Sequence, residues 1–213
     1  MRKRIYILFA LLLSLVSCED KSYETGEGEY SNLHADFVDI TVGKGQVTSI
    51  VTDDDVSLPI PLSLSYAENK DTVVRSLLYY NMGGEGKSIE IIGRRSVSVI
   101  VPVMKDKAMM DSSDPLKLNA VWLSANRRWL NMTIGIKCGS SEDAVSHSLL
   151  LRCDSISNVG DGAMWLTLLH DQGDMPQYYT QEYNISVPLL DKPDTIYMSV
   201  NTYSGEVKRQ MIK

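Results

Sequence analysis

From about His34 onward, apolar and polar positions alternate with period two, which predicts strands rather than helices. Phe37, Ile40 and Val42 recur first, then Val47 and Ile50, then Ile89 and Ile91, then Val97, Val99 and Val101. Turn formers separate these runs: Gly43-Lys44-Gly45, the acidic Asp53-Asp54-Asp55, Gly83-Gly84 and Gly93. No segment sustains a 3.6-residue stripe. Val103 to Asp111 comes nearest, with Met104, Lys105, Ala108 and Met109 placed for a helical turn or two. The cluster Ser112-Ser113-Asp114-Pro115 then combines turn residues with a proline, and the sequence places a domain boundary there.

Beyond it, Leu116 to Ser124 and Trp129 to Lys137 read as a hairpin around Ala125-Asn126-Arg127. Strands follow at Ser148 to Ile156, Met164 to His170, Tyr179 to Val187 and Thr195 to Thr202. Short, evenly spaced strands predict an all-β sandwich or barrel. The bodies 34–115 and 116–213 are each long enough for a small core of their own.

The N-terminus follows a different rule. Arg2, Lys3 and Arg4 precede a nearly unbroken apolar run from Ile5 to Val16, and Leu15-Val16-Ser17-Cys18 has the form of a lipobox. That run is twelve residues long, whereas a transmembrane helix needs about 20. The expectation is a cleaved signal over 1–17 and a lipid, diacylglycerol with a further acyl chain such as palmitate, on Cys18. From Glu19 to Leu33 five acids face Lys21 alone, so 18–33 reads as a flexible acidic tether spanning on the order of 20 Å.

Cleavage would remove Arg2, Lys3 and Arg4 and lower the formal charge from −6 by three. Basic residues are otherwise scattered, as at Arg94-Arg95 and Arg127-Arg128, so nucleic acid is excluded as a partner. After lipidation two cysteines remain, Cys138 and Cys153, and the sequence favours two buried thiols over a disulfide. That reading rests on 129–138 and 147–156 pairing as neighbouring antiparallel strands, a register that keeps the two cysteines apart.

Catalytic patterns are weak. Asn81 to Ser88 resembles a phosphate-binding loop, but asparagine stands where glycine is needed and a strand pattern follows where a helix should open. His34, His147 and His170 are the only histidines. His170, Asp171 and Asp174 form the best acid-base or metal candidate, although Gln172-Gly173 marks a turn in which acids simply cap backbone donors. Asp53-Asp54-Asp55 reads as a solvated turn. The expectation is a protein without cofactor or metal and without enzymatic activity. Trp122, Trp129 and Trp165 are candidate stacking platforms, though mostly core. Of Tyr79-Tyr80 and of Tyr178-Tyr179, one member each should face outward as a ligand-facing position.

Taken together, the lipobox, the acidic tether and three segments carry a family resemblance. The segments are Val47-Thr48-Ser49-Ile50-Val51-Thr52-Asp53-Asp54, Arg128-Trp129-Leu130-Asn131-Met132 and Leu168-Leu169-His170-Asp171-Gln172-Gly173-Asp174. The chain resembles the NigD-like lipoproteins of the Bacteroidota over most of its mature length. That resemblance implies an N-terminal OB-like barrel and a C-terminal antiparallel β-sandwich, and brings no established activity. Glu19-Asp20 also resembles the acidic export signal of surface lipoproteins in that phylum. The function expected from the β domains and the lipid on Cys18 is a non-enzymatic envelope lipoprotein of the outer membrane that binds a partner protein or a glycan. The alternative is a bacteriocin-immunity-like protective protein, and a hydrolase using His170, Asp171 and Asp174 comes last.

Overall fold

Alternation becomes strand almost everywhere the pattern predicts it. The computed structural model describes residues 32–61, 64, 71–83, 86–140, 146–157, 162–189 and 193–212. The signal 1–17, the lipidation position Cys18 and the tether through 31 lie outside them, as do Gly84 and Glu85.

Strands β1 (Leu33–Gly43), β2 (Gln46–Thr52), β3 (Thr72–Met82) and β4 (Ile89–Ser96) form one sheet in the order β2-β1-β3-β4. Lys44 and Gly45 take φ of 52° and 79° in the first turn, the left-handed pair that a tight hairpin requires. Val38, Ile40 and Val42 on β1 pack with Ile50, Leu78, Tyr80 and Ile89 in one buried core. The opposite parity of the same strands carries Phe37, Asp39, Arg75 and Tyr79. Asp39 and Arg75 are nonetheless buried, so this sheet is covered on its second face as well.

What covers it is the sandwich. Its first sheet runs β5-β11-β8-β7, from β5 (Ser98–Val99), β7 (Lys117–Leu123), β8 (Trp129–Cys138) and β11 (Tyr179–Pro188). The second runs β13-β12-β10-β9-β6, from β6 (Val103–Met104), β9 (Ser148–Ser157), β10 (Ala163–Asp171), β12 (Thr195–Thr202) and β13 (Gly205–Ile212). Leu130, Met132, Ile134 and Ile136 of β8 meet Leu151, Leu166, Leu168, Ile196 and Met198 across the interior.

The sandwich is mostly antiparallel, but β10–β12, β5–β11 and β6–β9 pair in parallel. The chain leaves β10, crosses to the other sheet as β11 and returns as β12, and such a crossover sets strands side by side in the same direction. The change of sheet partner falls between Ser96 and Ser98, well before the Ser112 to Pro115 cluster. The helical pattern at Val103 to Asp111 yields a strand pair and a short 3-10 turn, Lys105–Lys107. β13 lies beyond the last strand that the sequence pattern predicts, Thr195 to Thr202.

Cys138 and Cys153 are both free, buried thiols, as favoured, but the reason differs. The strands carrying them are not neighbours: β8 pairs with β7 and β11, whereas β9 pairs with β10 and β6.

Candidate functional site

Arg75 is a heavily bonded side chain of the interior. It sits mid-strand on β3, 4% exposed. Nη1 donates to Asp39 Oδ1 at 3.1 Å, and Nη2 to both oxygens of Asp53 at 2.7 and 2.8 Å. From the sandwich, Ser186 Oγ accepts from Nε at 3.1 Å and Asn131 Oδ1 accepts from Nη2 at 3.1 Å. Pairing of β8 with β11 sets Asn131 directly opposite Ser186, and Ser186 Oγ donates to Asn131 Oδ1 at 2.7 Å. Asn131 Nδ2 in turn donates to Asp53 Oδ2 at 2.6 Å.

Two rings complete the enclosure. The guanidinium lies 4.6 Å from the Trp129 ring centroid and 5.5 Å from that of Phe37, and Trp129 Nε1 donates to Asp39 Oδ2 at 3.1 Å. A planar, permanently charged fork suits such a site, because each of its three nitrogens finds an acceptor while the faces stack on aromatics. Burial pushes the Asp53 carboxyl above its ordinary range, against the opposing pull of Arg75 and Asn131. The expectation of a solvated turn at Asp53-Asp54-Asp55 is therefore corrected at Asp53, which joins the four-stranded sheet to the sandwich. Nearby, Arg127 Nη2 donates to Pro193 O at 2.7 Å, and Arg128 approaches Asp55 at 3.3 Å.

A second arrangement faces outward. On the outer face of the β13-β12-β10-β9-β6 sheet, Trp165 and Tyr197 are register partners of β10 and β12. Their rings stack with centroids 5.2 Å apart and planes 12° apart, and Trp165 remains 37% exposed. Gln210 on β13 donates to the Tyr197 hydroxyl at 3.2 Å. Thr167, Ser199, Asp154 and Lys208 add polar groups to a surface cavity of about 490 Å³. Burial works against the Asp154 carboxylate, but hydrogen bonds from Thr167 and Arg152 prevail and hold it below its ordinary range. Exposed aromatic faces beside fixed polar groups can stack on the C–H face of a ring while hydrogen-bonding its hydroxyls.

The sequence-predicted positions separate. Tyr80 is 3% exposed and donates its hydroxyl to Asp36 Oδ2, while Tyr79 is half-buried beneath Arg95. Tyr178 and Tyr179 are both exposed, because Tyr178 precedes β11 and escapes its alternation. His34 stacks on Tyr80. His170 is buried, its Nδ1 facing Asp114 O and its Nε2 facing His147. Asp171 accepts from Gly173 N at 2.9 Å as a turn cap, and Asp174 is exposed. These three do not converge, so the acid-base arrangement they would need is not formed. Among the described residues no group of three or more His, Cys, Asp or Glu is placed to hold a metal ion. Arg75 and Tyr197 gave no sequence signal, since the pairing that makes each one matter lies between distant strands.

Comparison with known proteins gives the same fold. The NigD-like C-terminal β-sandwich domain matches residues 99–213. Among solved structures, a NigD-like immunity protein from Bacteroides caccae superposes with TM-score 0.64 at 20% identity, covering 83% of this chain and 91% of that one. A candidate toxin-related protein from Parabacteroides distasonis gives 0.62 at 16%, covering 84% and 91%. A candidate lipoprotein from Bacteroides fragilis gives 0.61 at 12%, covering 84% and 97%. No curated protein matches.

Proposed function

The chain belongs to the NigD-like family, and from that premise we propose that it is a non-enzymatic envelope lipoprotein whose outer sandwich face captures a glycan. One observation carries the reading: exposed Trp165 stacks on half-buried Tyr197 beside hydrogen-bonding groups, in a cavity of about 490 Å³. That volume falls within the range of small-ligand sites, roughly 300–1,000 Å³. Exposed aromatics on a strand cost solvation unless a partner covers them, and a sugar ring is a flat, half-apolar partner. The lipid on Cys18 and the acidic tether would hold the folded body at the outer membrane.

Affinity electrophoresis of the purified full chain through gels containing xylan, mannan or dextran tests the reading. We expect retardation in at least one gel, lost in Trp165→Ala and kept in Tyr178→Ala. Unretarded migration in all three, or retardation indifferent to Trp165, overturns it. Membrane attachment is tested by metabolic labelling with an alkyne fatty acid, which should be abolished by Cys18→Ala. The protective alternative rests on the family name and the formal charge of −6. It requires a basic protein partner captured through an acidic surface, with association that weakens as salt rises.

A further inference from the structure

Cys138 closes β8 at the rim of a second cavity of about 540 Å³, whose lining includes Ile136, Leu149, Met175, Tyr179 and His147. Its Sγ lies 3.5 Å from His147 Nε2, and His147 Nδ1 lies 3.2 Å from His170 Nε2. His170 Nδ1 lies 3.3 Å from Asp114 O. A carbonyl oxygen accepts only, so His170 carries its proton on Nδ1 and presents Nε2 as an acceptor. His147 must then donate from Nδ1, which leaves the Nε2 lone pair directed at the Cys138 thiol. One tautomer assignment satisfies all three contacts.

Burial keeps the arrangement in its acceptor form. Desolvation, reinforced for His147 by the neighbouring His170, holds both imidazoles below their ordinary 6.5, so both rings are neutral at neutral pH. Tyr183 also faces the thiol, its hydroxyl 3.8 Å from Sγ and pushed up to about 12 by burial and by Cys138. Among the described residues, Tyr203, Asp114, Asp171 and Tyr179 are further ionisable groups acting on the site, and Lys137 reaches over the Tyr203 ring at 4.6 Å. Both thiols have a carbonyl acceptor, Ile136 O at 3.5 Å from Cys138 Sγ and Ser155 O at 3.7 Å from Cys153 Sγ. Cys138 differs in also facing the His147 lone pair, whereas burial together with Asp154 pushes the Cys153 pKa up.

We infer that Cys138 is a base-assisted nucleophilic thiol, with His147 as its base and His170 as the positioning residue. The cavity takes a small disulfide of aromatic or apolar character. His147 Nε2 accepts the thiol proton, and the Cys138 sulfur attacks one sulfur of the disulfide. A Cys138–S bond forms as the original S–S bond breaks, and the leaving thiolate collects the proton from His147. Cys138 is oxidised to a mixed disulfide and one equivalent of the small thiol is reduced and released. Apolar Ile136, Leu149 and Met175 with the Tyr179 ring select a compact, unsaturated substituent over a charged one.

The test uses the full chain carrying Cys18→Ser, in detergent, with dithiodipyridine as the probe. Thiopyridone release gives the rate, and peptide mass mapping at early times gives the position. Cys138 should be modified at least about tenfold faster than Cys153, a comparison within one folded protein. His147→Gln, which keeps a polar side chain but no base, should slow Cys138 roughly tenfold or more with the far-ultraviolet circular dichroism unchanged. The native rate should level off once His147 is neutral, whereas in His147→Gln it should climb steadily with pH. His170→Gln should displace that profile. Equal rates at the two cysteines, no reaction at Cys138, or a rate indifferent to His147 overturns the inference.

Discussion

At the scale of single residues, burial decides what each charged group does. Arg75 faces Asp39 and Asp53 with 1% of its side chain exposed, so removing it takes the buried countercharge from both and leaves Asp53 with Asn131 and Asp39 with Trp129 and the more distant Arg128. Losing one partner of a buried ionic cluster costs about 3–5 kcal/mol, far more than losing an exposed pair. Arg75→Met should lower stability by that amount in urea unfolding, and a neutral result would mean that water reaches Asp53 freely. Arg75→Lys should recover only part, since an ammonium cannot reproduce the fork or stack on Trp129. Buried His170 and half-buried His147 act in the opposite direction. Unfolded imidazoles bind protons near 6.5, while burial holds His147 and His170 lower, so between those values the unfolded chain carries more protons. Stability should therefore be full above 6.5 and decline as pH falls below it. His170→Gln should flatten that acid-side slope when urea midpoints at about pH 7.5 and about pH 5.5 are compared.

At the scale of elements, β8 explains the most. Its inner parity, Leu130 to Ile136, fills the sandwich, and its outer parity presents Trp129 and Asn131 to the four-stranded sheet. Strong alternation made this strand and its hairpin with β7 legible in the sequence. The buried outer face was not legible, because Asn131 reads as solvent-facing until Arg75 covers it. Gly135 belongs to the same strand, between Lys117 of β7 and Glu182 of β11. A Cβ added there would lie 2.9 Å from Thr180 Cγ2 and 3.3 Å from Lys117 Cβ. Gly135→Ala should therefore destabilise by about 1–3 kcal/mol in thermal unfolding, despite alanine's better strand entropy. A raised midpoint would show that Thr180 gives way without strain.

At the scale of the whole molecule, the four-stranded sheet and the sandwich share their polar contacts. Residues from His34 to Lys213 form one unit, and the Asp39, Asp53, Arg75, Asn131 and Ser186 cluster crosses between the two bodies within it. A buried network that is fully bonded couples the elements it spans. Unfolding followed by Trp fluorescence, which includes Trp129 at the junction, should coincide with unfolding followed by circular dichroism. In Arg75→Met the two transitions should separate, and coincidence in that variant would show that apolar packing such as Phe37 on Trp122 suffices.

The sequence by itself determined what depends on local order. Period-two alternation specified the strands, Gly43-Lys44-Gly45 specified the first hairpin, and the apolar run before Cys18 carries the expectation of a lipoprotein signal. Tertiary structure alone decided the rest. Whether Asp53 is solvated or joined to Arg75, which aromatic stacks on Trp165, and which thiol meets a histidine are all set by pairings between distant strands. Such pairings follow from how faces are buried together, and no local pattern in the chain encodes that choice.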